Sequence, residues 1–181
     1  IREICCDTGF WGKPIDPIFQ DREIFSDLIV GPYLRKKPDY TLVAENNGEI
    51  VGYLTGYPDK NFELSAIPFF INVISKMLFR YLTNNYNERS KKFAKHILTK
   101  ILKEIPKHPR NAAHLHINLK DSHRGIEIGK QLLFFYEKML KEDSISHYYG
   151  EVFSSDNRRT FELYKKLGFK FYDKVKTTIF E

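Results

Sequence analysis

Cysteine is scarce in this sequence, and its placement excludes two kinds of stabilising chemistry. The 181 residues include two cysteines, Cys5 and Cys6, which are adjacent. Because neighbouring cysteines rarely have the geometry to form a disulfide with each other, we expect reduced thiols and a cytoplasmic location. The six histidines lack the ligand spacing of zinc sites, so the sequence predicts no metal centre.

A long uninterrupted apolar run is also missing. The longest apolar stretch, residues 64–79, is broken by Ser65, Asn72, Ser75 and Lys76, whereas a membrane helix needs about 20 predominantly apolar residues. We therefore predict no membrane span. With 42% hydrophobic and 29% charged residues, the chain fits one globular domain over residues 1–181.

The net charge of +6 favours anionic partners, but lysine and arginine are scattered along the chain. A phosphorylated small molecule accounts for this charge as well as nucleic acid does. Five lysines back one apolar helical stripe, namely Lys91, Lys92, Lys95, Lys100 and Lys103. A solvated helix face explains them better than nucleic-acid binding, which usually adds aromatic or arginine side chains beside the lysines.

Hydrophobic periodicity predicts an α/β chain in which helices precede and interrupt the strands. Asp21 is expected to cap a helix that ends at Gly31-Pro32. The segments TLVAE and EIVGYLTGY read as two strands joined by a tight turn at Asn47-Gly48. Residues 58–110 are helical by pattern, with Phe93 and Ile97 on one inward stripe and Phe70, Ile74, Met77, Leu78 and Tyr81 on another.

The last third of the sequence alternates strands and helices. AAHLHINL predicts a strand with His114, His116 and Asn118 on one face. A helix over residues 126–141 follows, with Leu132, Leu133, Tyr136 and Leu140 inward. HYYGEVF is expected to be a strand, residues 156–166 a helix, and residues 169–180 an antiparallel pair that completes the sheet.

The stretch SHRGIEIGKQLL places glycines at the start of the predicted helix, directly after a strand. Unpaired backbone N–H groups at a helix start favour an anion there. Taken alone, the junction is equally well explained as a tight turn. It is not a Walker A loop, because a Gly-Lys-Ser/Thr ending is missing, and no second domain-sized βαβ repeat supports a dinucleotide fingerprint.

A second motif lies downstream, in NRRTFELYKKLGF, where Asn157, Tyr164, Gly168 and Phe169 have the spacing N-x6-Y-x3-G-F. With the Arg124-Gly125 loop upstream and the TLVAENNGEIVGYLTG hairpin, nearly the whole chain resembles the GNAT N-acetyltransferase superfamily. DLIVGPYL, the helical insert and AHLHINL resemble more narrowly the branch related to the acetyltransferase-like region of O-GlcNAcases. The resemblance implies a GNAT fold with a mixed, mostly antiparallel sheet, a first strand expected before Ile1, and a helical insert, residues 58–110, between the third and fourth strands.

The resemblance also implies acetyl-CoA as co-substrate and assigns residues to it. The loop is similar to the family pattern Q/R-x-x-G-x-G/A, whose backbone would hold the pyrophosphate. The strand before it would pair with the pantetheine arm, and Leu119 N–H would polarise the thioester carbonyl. Asn157 resembles the asparagine that contacts the cofactor arm, and Tyr164 resembles the general acid. The implied cofactor-binding residues are Ile117, Asn118, Leu119, Arg124, Gly125, Ile126, Glu127, Ile128, Gly129, Lys130 and Asn157.

Glu127 departs from the family pattern, which usually has a glycine there. A left-handed non-glycine residue costs about 1 to 2 kcal/mol, so we expect Glu127 to be helical. Its carboxylate gains from the helix dipole but repels a pyrophosphate, so we predict that the side chain points away from the ligand.

The implied reaction is acetyl transfer to an amine by direct attack in a ternary complex, with a small-molecule or peptide acceptor that the sequence does not identify. For the catalytic base the candidate is His116, since histidine titrates near 6.5. A satisfied strand histidine explains it equally well, and Glu151 is a substitute. A buried structural tyrosine remains an alternative for Tyr164, and core packing explains Phe10, Trp11 and Tyr33 better than an acceptor pocket does. A non-catalytic CoA-binding or protein-interaction module on the same fold is the alternative function, and a homodimer is left open.

Overall fold

A computed structural model describes residues 1–58, 62–154 and 160–180. Within these ranges the chain forms one mixed sheet of four strands in the order β1 (Thr41–Asn46), β2 (Glu49–Tyr57), β3 (Ala113–Leu119) and β4 (Tyr148–Gly150). Neighbours are antiparallel from β1 to β3, and β4 runs parallel to β3. The predicted α/β class, with a mixed and mostly antiparallel sheet, is confirmed.

Helices flank the sheet on both sides. They are α1 (Arg2–Asp7), α2 (Arg22–Ile29), α3 (Gly31–Lys36), α4 (Phe62–Leu82), α5 (Glu88–Thr99), α6 (Ile126–Glu142) and α7 (Thr160–Lys166). Short 3₁₀ turns occupy Pro38–Tyr40, Ile101–Lys103 and Asp121–His123.

Local chemistry explains the β1–β2 hairpin and the start of α2. Asn47 and Gly48 both have positive φ, at 52° and 80°, as the predicted two-residue turn requires. The Asp21 side chain accepts a hydrogen bond from Ile24 N at 3.1 Å, so the predicted cap is confirmed. Helix α2 ends at Ile29, just before Gly31-Pro32, as predicted, but a further helix that was not predicted, α3, begins at Gly31. Proline suits the first turn of a helix, because a backbone N–H at that position would have no partner within the helix.

Helices α4 and α5 lie between β2 and β3, as the helical pattern predicts. Val73 and Met77 of α4 are fully buried, and Phe93 and Ile97 of α5 are buried beside them. The predicted inward stripe of α4 is wrong in part, because Leu78 is 41% exposed. A helix against one layer buries a single narrow stripe, and Val73 and Met77 occupy it.

The buried side chains form two clusters. The first joins α1, α2, α4 and α5, and it includes Ile24, Phe93 and Ile179. The second lies between the sheet and α6, where Leu54 and Leu115 meet Tyr136. All four predicted inward residues of α6 are buried: Leu132, Leu133, Tyr136 and Leu140.

The predicted C-terminal strand pair is wrong within the described residues, because residues 169–178 have no strand there. Their polar contacts are made by side chains instead. Asp173 Oδ2 accepts a hydrogen bond from Lys107 N at 2.8 Å, and Thr177 Oγ1 donates to Glu104 Oε2 at 2.5 Å. A segment with an alternating apolar pattern forms a strand only when it pairs with another strand. Which strand that is depends on residues far away in the sequence.

Candidate functional site

The parallel strands β3 and β4 pair over a short distance and then separate. Their three paired positions run from Ala113 with Tyr148 to Leu115 with Gly150. On its other edge, β3 continues to pair with β2 as far as Leu119 with Gly52. In the described part of the chain, residues 116–119 therefore have a strand neighbour on one edge only. An extended ligand can add to an open strand edge through main-chain hydrogen bonds.

The start of α6 lies just beyond this open edge. Its N-cap is Gly125, in extended backbone (φ 173°), and no side chain caps the helix. Among the residues that the structure describes, no atom beyond the chain neighbours and the helix's own backbone would lie within 4 Å of a Cβ added at Gly125 or Gly129, so the space beside both residues is open. Uncapped N–H groups facing open space suit an anionic group.

The other residues of this loop are placed as follows. Glu127 lies in the first turn of α6, is exposed, and has no positive φ, as predicted from the cost of a left-handed conformation. Ile128 is half-buried against the second cluster, and Lys130 is exposed. Ile126 is the first residue of α6.

The Arg124 side chain is held by the protein itself. Its Nη1 is 2.8 Å from Asp121 Oδ1, and its Nη2 donates to Gly12 O at 2.6 Å. Gly12 has φ of 85°, and an added Cβ would lie 2.5 Å from Arg124 Nη1. Arg124 therefore joins the loop before α6 to the turn at Trp11-Gly12. Gly12 was not predicted as part of the site, although glycine is a common turn residue.

A group of titratable side chains lies where β3 and β4 begin to separate. The Tyr149 ring stacks on His114, with centroids 4.6 Å apart, and on His108 at 4.8 Å. Tyr33 OH is hydrogen-bonded to His114 Nδ1, and His108 Nε2 contacts Glu151 Oε1. His114, Tyr33 and Glu151 were considered as site residues from the sequence, whereas His108 and Tyr149 were not predicted. No local spacing connects His108 with the strands.

His116 lies on β3 beside this group. Its Nδ1 is 3.2 Å from Tyr53 OH, which also accepts a hydrogen bond from Asn118 Nδ2 at 3.3 Å. Burial lowers the pKa of His116 to about 4, because removing an imidazolium from water disfavours the charged form. His116 is therefore neutral at pH 7.

Glu151 is the negative charge of the group, and its side chain is 44% exposed. Desolvation raises its pKa, but the hydrogen bond from His108 and the attraction of His114 and His108 together bring the pKa below the ordinary value. The carboxylate is thus ionised at pH 7 and open to solvent on one side.

Tyr164 is half-buried on α7 and is connected to β4 through one aromatic ring. Phe169 packs edge-on against Tyr164, with centroids 5.6 Å apart, and against Tyr148 of β4 at 5.4 Å. Gly168 has φ of 91°, Gly168 N donates to Lys165 O, and Phe169 N donates to Tyr164 O. This is a Schellman motif, so helix capping explains the Y-x3-G-F spacing. Asn157 lies outside the described residues.

Within the described ranges, no group of three or more His, Cys, Asp or Glu side chains could hold a metal ion. Among the helices described, none is both long and apolar enough to cross a membrane.

Fold and site together define an α/β protein with an open strand edge that leads into an uncapped helix start, an arrangement suited to an extended anionic cofactor. The family model of the Acetyltransferase (GNAT) family matches residues 3–169, and the chain belongs to this family. The predicted superfamily is confirmed. The narrower resemblance to the acetyltransferase-like region of O-GlcNAcases stays a prediction.

Similarity to one solved structure supports this fold. The crystal structure of SsHAT superposes with a TM-score of 0.67 at 22% identity, covering 94% of this chain and 84% of that chain. A crystal structure of an acetyltransferase gives a TM-score of 0.49 at 23% identity, covering 83% of this chain and 70% of that chain. No curated protein sequence matches significantly.

Proposed function

We propose that this chain transfers the acetyl group of acetyl-CoA to an amine of a small molecule or peptide, by direct attack in a ternary complex. The observation that carries the proposal is the open edge of β3 at residues 116–119, which leads into the uncapped start of α6. Membership in the GNAT acetyltransferase family supports the reaction class.

The chain's own groups fit such a donor. Backbone N–H groups of residues 125–128 would hold the pyrophosphate, and the open space beside Gly125 and Gly129 gives a bulky anion room. Ile117 and Leu119 would pair with the pantetheine arm, with Leu119 N–H directed at the thioester carbonyl. Asn118, Arg124, Lys130 and Asn157 complete the proposed contacts.

Tyr164 is proposed as the general acid. The amine nitrogen attacks the carbonyl carbon, the carbon–sulfur bond breaks, and the sulfur takes the phenolic proton. A thiol has a pKa of about 8.5 and a tyrosine about 10, so the transfer is close to balanced. The half-buried ring of Tyr164, one aromatic contact from β4, supports this assignment.

The proton of the acceptor amine is proposed to leave through His116, with Glu151 as the substitute. A pKa of about 4 makes His116 a weak base, and accepting a proton from an ammonium of pKa about 10.4 is uphill by roughly 9 kcal/mol. A barrier of that size still allows on the order of 10⁶ transfers per second. The low pKa therefore slows this step without making it slower than a typical turnover.

We also propose that the protein acts in the cytoplasm. Cys5 and Cys6 are both free and buried, and desolvation raises the pKa of Cys5 to about 12. Free thiols are typical of reducing compartments.

The test is thiol release from acetyl-CoA over a panel of amines, together with acetyl-CoA binding. Tyr164→Phe should lower kcat at least tenfold with little change in the Kd for acetyl-CoA, because the lost proton matters only in the transition state. Tyr172→Phe is the matched control, since Tyr172 is 62% exposed, and it should leave kcat unchanged. Binding without turnover of any amine would support the non-catalytic alternative, and absence of binding would refute both.

A further inference from the structure

A cavity of about 660 Å³ lies between α5 and residues 178–180, and the proposed reaction does not use it. Its apolar lining includes Ile18, Phe93 and Ile179. Phe93 and Ile179 belong to the first buried cluster, so this wall is a fixed part of the core. The volume is in the usual range of small-molecule pockets, about 300 to 1,000 Å³.

The other wall is positively charged. Arg89 and Lys92 line the cavity from α5, three positions apart and so on one face of the helix, and the C-cap residue of α5, Lys100, also lines it. No carboxylate of the described residues forms an ion pair with any of these three side chains. Among the described residues that line the cavity, the acidic one is Glu88, which is paired with Lys91 at 2.9 Å. The cavity therefore combines three cations that lack an ion-pair partner with an apolar wall.

His96 lies at the base of this positive wall and is fixed in place. It is buried, its Nε2 is 2.7 Å from Glu104 Oε2, and Thr177 Oγ1 donates to the same oxygen. These contacts join α5 to the C-terminal segment on either side of the cavity. Side-chain hydrogen bonds therefore connect the α5 wall of the cavity to the C-terminal wall.

We propose that this cavity binds a small anion that carries an apolar group, either a carboxylate or a phosphate monoester. Charge-assisted hydrogen bonds from Arg89 and Lys92, which lie on one face of α5, would hold the anionic end, and Phe93 and Ile179 would receive the apolar end. Like charges three positions apart on a helix repel each other, and an anion between them removes that repulsion. The site is separate from the proposed transfer site, so neither proposal depends on the other.

Calorimetric titration of the full chain at low salt tests the proposal. The probes are phenyl phosphate and benzoate, with inorganic phosphate and benzyl alcohol as the separate halves. We expect at least one of the first two to bind at least tenfold more tightly than either half. Tight binding of phenyl phosphate alone would identify a phosphate ligand, and tight binding of benzoate alone would identify a carboxylate ligand. No saturable binding of either probe, or affinities equal to those of the halves, would overturn the proposal.

Variants locate the binding. Arg89→Gln and Lys92→Gln, which change exposed side chains, should each weaken binding of the preferred probe about fivefold. Lys103→Gln is the matched control, because Lys103 is exposed and does not line the cavity, and it should leave the Kd unchanged. Gly129→Asp, at the proposed acetyl-CoA loop, should also leave it unchanged. Equal affinities in Lys92→Gln and in wild type would contradict the proposal.

Discussion

The first turns of α2 and α6 both contain backbone N–H groups without an intrahelical partner, but the two helices satisfy these groups differently. At α2, Asp21 caps the helix and is itself fixed by Arg80 Nη1 and Tyr86 OH, each 2.7 Å from its carboxylate. At α6, the N-cap is Gly125, and no side chain satisfies the first turn. The chain thus supplies its own acceptor at one helix start and leaves open space at the other.

This difference separates stability from binding. A helix start that is capped by a fixed carboxylate contributes to folding and has nothing left for a ligand. A start that lacks a cap loses that contribution and keeps its N–H groups for an anion. Changes at α2 should therefore alter the free energy of unfolding, and changes at α6 should alter the affinity for acetyl-CoA.

The largest expected effect is at the closed start. Asp21→Ala removes the cap and a buried partner of Arg80, and should lower the free energy of unfolding by about 3 kcal/mol. Asp21→Asn keeps the capping oxygen and should lose about half of that. Urea denaturation measures both. A loss below about 1 kcal/mol in the alanine variant would show that the cap is not what stabilises this region.

Gly129→Asp places a carboxylate in the open space beside α6. Repulsion of the pyrophosphate should weaken acetyl-CoA binding about 100-fold, which corresponds to about 2.7 kcal/mol. Gly129→Ala is the control, and it should stabilise the helix by up to about 1 kcal/mol with less than a tenfold change in affinity. Calorimetric Kd values and thermal melts distinguish the two. Equal affinities in the aspartate variant and wild type would move the anion site away from α6.

The open region also carries a stability cost that depends on pH. The folded pKa of His116 is about 4, below the unfolded value of about 6.5, so the unfolded state binds more protons between these values. Stability should fall by about 2 kcal/mol from pH 7 to pH 5 through this group. The difference between wild type and His116→Asn in urea denaturation isolates it. An identical pH dependence in both proteins would mean that His116 is not desolvated.

The smallest effect is expected for Glu127→Gln. Glu127 is exposed in the first turn of α6, and removing its charge relieves repulsion of the ligand while losing a favourable contact with the helix dipole. Acetyl-CoA should bind about threefold more tightly, and the free energy of unfolding should fall by less than about 1 kcal/mol. Weaker binding in the glutamine variant would indicate that the carboxylate contacts the ligand favourably.

Features that depend on residues close together in the sequence were predictable from it. The turn at Asn47-Gly48, the Asp21 cap and the inward face of α6 each follow from backbone conformation or helical period. Gly31-Pro32 marked the end of α2, but the start of α3 was not predictable, because the same dipeptide can end one helix and begin the next. The predicted C-terminal strand pair is wrong because an alternating apolar pattern indicates an extended segment but does not identify the strand it would pair with.

The same distinction applies to the candidate site. The loop from Arg124 to Gly129 is contiguous, so its chemistry was visible in the sequence. His108 and Tyr149 come from separate segments and meet only through the fold. The contact between Arg124 and Gly12 joins residues 112 positions apart, and no pattern in either segment indicates it.

Amide chemical shifts recorded during a titration with acetyl-CoA test the central claim most directly. The largest shifts should occur at Ile117, Leu119 and residues 125–128, because these N–H groups are proposed to bind the ligand. Ile24, whose N–H is already bonded to Asp21, should not move. Shifts confined to other parts of the chain, or no shifts at saturating acetyl-CoA, would contradict the account.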